Sequence, residues 1–130
     1  MYKRQANNGG TLNQNEWFSY QQYRAENQDI VTTRPSYGWL QATITEGRRL
    51  QQEAANVQIP VLMMRANLDF FVNETLIEPT CDAMPKCRMV DASKLVSEEQ
   101  PEVPSLHELY REREDIRKKV LRKILFFMLR

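Results

Sequence analysis

Long hydrophobic runs are absent from this sequence, and neither sign of charge is in excess. No stretch approaches the about 18 apolar residues that a membrane-spanning helix needs. No basic leader followed by an apolar segment and a small-residue cleavage site is present, so the sequence predicts no secretory signal. The 18 lysines and arginines nearly balance the 17 aspartates and glutamates, and this balance gives no overall attraction to nucleic acid.

Cysteine is also scarce, which limits the chemistry expected of the chain. Cys81 and Cys87 are the only cysteines, and no CxxC spacing or Cys/His cluster accompanies them. Neither a metal site nor a disulfide framework is therefore expected. We predict two buried or half-buried thiols in a reducing compartment, and hence a cytoplasmic protein, with peripheral attachment to the inner membrane as an alternative location.

The sequence does contain enough apolar material for the core of one domain. Of its 130 residues, 42% are hydrophobic and 27% are charged. Residues 59–72 read IPVLMMRANLDFFV, and the four apolar residues 61–64 within them predict a strand buried on both faces, as in a parallel sheet covered by helices. Asp69 follows the carboxyl end of this strand, where open α/β sheets place their functional residues.

Helical and strand patterns follow one another along the rest of the chain. Apolar spacing predicts helices over 16–27, 36–50, 72–83 and 112–129, and Pro79 should shorten or kink the third. A short strand is predicted at Cys87–Val90, followed by an acidic loop with prolines. The strand–helix–strand order implies a parallel, right-handed crossover, so the predicted fold class is α/β.

Two of these helices carry apolar stripes that are expected to pack inward. We interpret the aromatic residues of the first helix as core residues, namely Trp17, Phe18, Tyr20 and Tyr23. The last helix is expected to cover the sheet with a second set, namely Ile116, Val120, Leu121, Ile124, Leu125 and Met128. Its opposite face is basic, which leaves an anionic membrane surface as an alternative partner.

The single histidine, His107, lies between the second predicted strand and the last helix. Adjacent parallel strands lie about 5 Å apart, so loops at their carboxyl ends could bring Asp69 and His107 within hydrogen-bonding distance. An aspartate that holds an imidazole in one tautomer supplies two members of an acyl-transfer triad. The order of aspartate before histidine is that of the α/β-hydrolases.

Several short segments are similar to motifs of that superfamily. Residues 66–72, ANLDFFV, resemble the segment G-x-x-D-x-x-V around the triad acid, with Ala66 in place of glycine. Residues 107–112, HELYRE, resemble the segment H-E-[IL]-x-x-E around the triad histidine. Residues 35–40, PSYGWL, resemble the exit from the helical cap. From about residue 17 onward the chain thus resembles the bacterial lysophospholipase and monoacylglycerol-lipase branch.

The resemblance implies the C-terminal part of a serine hydrolase that cleaves carboxylic esters of lipids. Residues 16–55 would be the end of a helical cap, in which the aromatic residues of the first helix would line the entry for an acyl chain instead of forming core. Residues 56–130 would be the last two strands of the hydrolase core with their helices. Asp69 would be the triad acid and His107 the general base. The substrate would be a lysophospholipid or monoacylglycerol, and no cofactor or metal is implied.

Two elements of that family are missing from the sequence. None of its serines lies in G-x-S-x-G, and its four glycines form no oxyanion segment. The stretch before His107 is also longer and more acidic than the family pattern. Residues 1–5, MYKRQ, resemble the translation of a sequencing adaptor, and residues 1–15 are expected to be a disordered start. We therefore expect a C-terminal fragment that is inactive by itself.

Two other functions remain open from the sequence alone. Residues 112–130 could instead form a non-catalytic helical module that binds a partner or a membrane surface. A peptidase of the same superfamily would keep the triad and change the bond that is cleaved, and nothing in these residues distinguishes an ester from an amide.

Overall fold

The computed structural model describes residues 11–30 and 35–129. Within them the helices are α1 (Gln14–Glu26), α2 (Tyr37–Glu53), α3 (Ile77–Ala83) and α4 (Glu114–Met128), and the strands are β1 (Val61–Met64) and β2 (Cys87–Val90). The order of these elements is the predicted one, and helix and strand are mixed in one chain. No helix in the two described ranges is long and apolar enough to cross a bilayer.

The strands β1 and β2 pair in parallel, with Val61 opposite Cys87 and Met64 opposite Val90. The helix α3 connects them, so the predicted strand–helix–strand unit is confirmed. The strand β1 covers the four predicted apolar residues, but the prediction that it is buried on both faces is wrong, because each of them is only half-buried. The polar residues from Arg65 onward leave the strand to form the loop that carries Asp69.

The core of the described residues lies between this sheet and α4. Its buried members come from the end of β2, from the loops after both strands and from the inward face of α4, and they are Ala66, Val90, Leu95, Leu109, Ile116 and Val120. Ile124 continues the inward face of α4 one turn further. The prediction that the other half of the stripe packs inward is wrong, because Leu121, Leu125 and Met128 are exposed. The buried stripe is therefore narrower than the apolar face of the helix.

The helices α1 and α2 start where side chains cap them. Asn13 accepts the N–H of Glu16 at the start of α1, and Ser36 accepts the N–H of Trp39 at the start of α2. Neither helix contains a buried residue. The expectation that the aromatic residues of α1 form core is therefore wrong, since Phe18 and Tyr23 are 61% and 51% exposed.

The two cysteines depart from the prediction of free thiols. Cys81 in α3 and Cys87 at the start of β2 form a disulfide, with their Cα atoms 5.3 Å apart. The helix predicted over 72–83 is shortened, since α3 begins only at Ile77 and Glu74–Leu76 form a separate 3-10 turn. Pro79 lies in the first turn of α3, where no backbone N–H is needed. The short helix therefore brings Cys81 back to the strand that follows it.

The predicted disordered start, residues 1–15, lies mostly outside the described residues. The part of this start that the structure describes is not disordered, because it is hydrogen-bonded to the segment before α4. Thr11 is buried and donates a hydrogen bond to the carbonyl oxygen of Arg111 at 2.9 Å. The amide of Asn13 donates to the carbonyl oxygen of Glu112 at 3.2 Å. These contacts join the chain before α1 to the segment that leads into α4.

Candidate active site

Asp69 lies in the loop that follows β1, and its side chain is only 7% exposed. Its Oδ1 accepts the backbone N–H groups of Phe71 and Val72 at 2.8 and 3.0 Å, which closes a turn at the side chain. These two bonds hold the carboxylate in one orientation. Its second oxygen, Oδ2, therefore points to the neighbouring loop.

His107 lies on that neighbouring loop, between β2 and α4. Its Nδ1 is 2.7 Å from Oδ2 of Asp69, so the structure brings the two predicted site residues together. An ionised carboxylate can only accept, and Nδ1 therefore carries the proton and donates it. The imidazole ring also packs against the ring of Phe71, with centroids 5.2 Å apart. The side chain is 39% exposed, and Nε2 is the nitrogen that remains for a second partner.

The electrostatics of Asp69 favour its ionised form. Burial alone would raise the pKa of the Asp69 carboxyl, because it removes water from the charge. The hydrogen bonds from His107, Phe71 and Val72 outweigh that effect, and the net result is a pKa below the ordinary aspartate value. Asp69 is therefore a carboxylate at neutral pH and can hold His107 in the tautomer with Nδ1 protonated.

A buried carboxylate that sequence reasoning left without a role supports this pair. Glu112 is fully buried, and its Oε1 accepts the N–H of Leu106 at 2.9 Å. Its Oε2 accepts the N–H of Arg113 at 3.1 Å. Leu106 directly precedes His107, so Glu112 anchors the loop that presents the imidazole. The one sequence signal for it was the acidic last position of the segment HELYRE.

Arg113, the neighbour of Glu112, holds the same loop from the other side. Its guanidinium donates to the carbonyl oxygens of Val103 and Pro104 at 2.9 and 3.2 Å. Its Nε lies 3.6 Å from Oε2 of Glu112, which makes a mostly buried ion pair. The loop before His107 therefore has fixed anchor points although it contains no regular secondary structure.

Two of the serines take structural positions. Ser36 caps α2, and Ser105 is fully buried with its hydroxyl bonded to the side chain of Asn67. Within residues 11–30 and 35–129, no three side chains of His, Cys, Asp or Glu come together as ligands for a metal ion. Asp69 and His107 form a carboxylate–imidazole pair joined by one hydrogen bond.

Comparison with known proteins adds no family to this geometry: no protein-family model, curated protein or solved structure matches the chain.

Proposed function

We propose that this chain provides the acid–base half of a serine hydrolase active site. The observation that supports the proposal is the 2.7 Å hydrogen bond between Asp69 and His107. In a catalytic triad the aspartate binds Nδ1 of the histidine and the serine approaches Nε2. Asp69 binds Nδ1 of His107 in the same way, and Nε2 of the partly exposed ring would face the serine.

In the proposed reaction His107 acts first as a base and then as an acid. Nε2 takes the proton of the serine hydroxyl while the serine oxygen bonds to the ester carbonyl carbon. The protonated ring then gives that proton to the leaving alcohol as the carbon–oxygen bond breaks. Water repeats the sequence on the acyl-enzyme and releases the carboxylic acid. Asp69 stabilises the charged imidazole at each step.

The nucleophile and the oxyanion hole belong, in this proposal, to residues outside the 130-residue sequence. The fold would be that of an α/β-hydrolase, which carries its acid and its histidine on loops after parallel strands. The exposed apolar side chains of α1 and α2 fit a cap over a long acyl chain. The proposed substrate class is therefore an ester of a lipid, such as a lysophospholipid or monoacylglycerol.

The test is to express the complete open reading frame that encodes these residues and to measure hydrolysis of lysophospholipid and monoacylglycerol. We expect labelling of one serine by a fluorophosphonate, and a loss of kcat of about 10³- to 10⁴-fold in Asp69→Asn and at least as large in His107→Gln. The control is Asp29→Asn, which changes an exposed aspartate in the turn after α1. An intact frame without G-x-S-x-G, or hydrolysis that survives His107→Gln, would contradict the proposal.

A second candidate function rests on a basic groove along α4. Lys119, Arg122, Lys123 and Phe126 recur on one side of the helix, and Lys94 faces them across a groove of about 580 Å³. Cations beside an exposed aromatic ring are the pattern of a helix that lies on an anionic membrane. This function would place the chain at a lipid surface with or without catalysis.

Vesicle binding of the 130-residue chain tests this second candidate. The membrane function predicts binding to vesicles with anionic lipid, weak binding to neutral vesicles, and release at high salt. The double variant Arg122→Gln/Lys123→Gln should bind anionic vesicles less tightly. The control Arg48→Gln/Lys86→Gln removes the same charge elsewhere and should bind them as tightly as the wild type. Equal binding to neutral and anionic vesicles would contradict this second candidate.

A further inference from the structure

The loops of Asp69 and His107 are joined a second time, two positions before each of these residues. Asn67 precedes Asp69, and Ser105 precedes His107. The hydroxyl of Ser105 donates to Oδ1 of Asn67 at 2.8 Å, and the backbone N–H of Asn67 donates back to the same hydroxyl at 3.1 Å. The N–H of Leu68 adds a bond to the carbonyl oxygen of Ser105 at 3.1 Å.

This Asn67–Ser105 clamp is buried on its serine side, which restricts how its side chains can move. Ser105 has no exposed surface, and Asn67 is half-buried. The hydroxyl of Ser105 acts as donor and acceptor at once, so its rotation is fixed by two partners. A buried polar group that lost one of these partners would be left unpaired, which is unfavourable. The two loops are therefore held in one register at this point.

The strands alone do not place His107. The parallel pairing ends with Met64 opposite Val90, and Asp69 follows β1 closely. His107, in contrast, is separated from β2 by the turn Ala92–Leu95 and by a long loop. The end of that loop needs an anchor near Asp69 if the imidazole is to stay within hydrogen-bonding distance. The clamp is the contact that supplies it on the Asp69 side.

We propose that Asn67 and Ser105 are positioning residues that set the hydrogen bond between Asp69 and His107. The catalytic meaning of this inference rests on the proposed hydrolase function, but the geometric claim does not. Each clamp residue precedes its site residue by two positions, so the connecting backbone is short and stiff on both sides. A change in the clamp would therefore reach the carboxylate and the imidazole directly.

The experiment uses the 130-residue chain and two NMR signals. Because His107 is the only histidine, its Nδ1 proton is assigned by ¹⁵N-histidine labelling, and the pKa of Asp69 is followed by the ¹³C shift of its carboxyl carbon. His107→Ala defines the value of the Asp69 pKa without its partner, which should be higher. We expect Ser105→Ala and Asn67→Ala to lose the protected Nδ1 proton and to move the Asp69 pKa most of the way to that value.

Matched controls remove equivalent side chains elsewhere. Asn73→Ala deletes an asparagine that caps the turn before α3, and Ser36→Ala deletes the serine that caps α2. Both should leave the two signals unchanged. Asn67→Asp keeps the acceptor oxygen and should retain the Nδ1 proton.

Folded variants of Ser105 and Asn67 that keep both signals would overturn the proposal. So would unfolding of both variants, because the clamp would then be a requirement of the fold and not of the site. Since no nucleophile is involved, these results are independent of whether the complete protein hydrolyses esters. A failed hydrolysis assay with intact NMR effects would reject the function alone.

Discussion

Replacing the buried carboxylate Glu112 by alanine should be among the most destabilising single changes in this chain. The substitution removes the acceptor of the N–H groups of Leu106 and Arg113, which lie at 2.9 and 3.1 Å. A buried donor without a partner costs about 1–3 kcal/mol. The guanidinium of Arg113 also loses its counter-charge, and breaking a buried ion pair on one side costs about 3–5 kcal/mol.

These contributions overlap, since Arg113 is 16% exposed and can regain water. We therefore expect the free energy of unfolding to fall by about 2–5 kcal/mol in Glu112→Ala, against a total of about 5–15 kcal/mol for ordinary domains. Urea unfolding followed by circular dichroism measures this directly. With a slope of about 2 kcal/mol per molar urea, the midpoint should fall by about 1–2.5 M or the cooperative transition should disappear.

The matched control is Glu108→Ala, which removes a glutamate from the same loop. Its side chain is 25% exposed and contacts Arg111 at 3.6 Å, so the pair should contribute less than about 1 kcal/mol. Glu112→Gln should be intermediate, because it keeps one acceptor oxygen and loses the charge. Equal midpoints for Glu112→Ala and Glu108→Ala would refute the reasoning that Glu112 anchors the loop before His107.

Further changes test the other parts of the structure. Asp69 has a lowered pKa in the folded state, so its charge stabilises the fold above the ordinary aspartate pKa, and that stability is lost as the pH falls. The free energy of unfolding should therefore fall less on acidification in Asp69→Asn than in the wild type. Reduction of the disulfide should lower the free energy of unfolding by about 2 kcal/mol, measured by urea unfolding with and without dithiothreitol, and Cys81→Ala should abolish the difference. Ile116→Ala should cost about 2–5 kcal/mol in the same assay, whereas the exposed Leu125→Ala should stay within about 0.5 kcal/mol. The 130-residue chain by itself should show no esterase activity on a short-chain ester and no labelling by a fluorophosphonate; either result would contradict the assignment of the nucleophile to residues outside it.

Local patterns were sufficient to predict the order of the elements and the pairing of the site residues. The spacing of apolar residues and the cap at Ser36 depend only on neighbours in the chain, so the bounds of α2 and α4 could be predicted within a few residues. The approach of Asp69 to His107 followed from one further step, because loops after adjacent parallel strands meet at one edge of a sheet.

The contacts that hold the site could not be predicted in this way. Glu112 lies in the run REREDI, which has the composition of a solvated surface, and only the tertiary contact with Leu106 distinguishes it from its charged neighbours. The exposed face of α1 shows the same limit, because periodicity identifies an apolar side and says nothing about what covers it. The disulfide depends on how α3 returns to β2, which the spacing of Cys81 and Cys87 does not determine.

The long acidic loop before His107 shows how an unusual sequence can keep an ordinary geometry. This loop is tied to α4 at both ends of its course: the N–H of Glu98 donates to Asp115 at 2.8 Å, and Arg113 binds the carbonyl oxygens just before Ser105. The residues between these contacts can therefore vary in number without displacing the last ones. The distance between the carboxylate and the imidazole is consequently set by the start of α4 and by the contact of Ser105 with the first loop, and not by the length of chain between the second strand and His107.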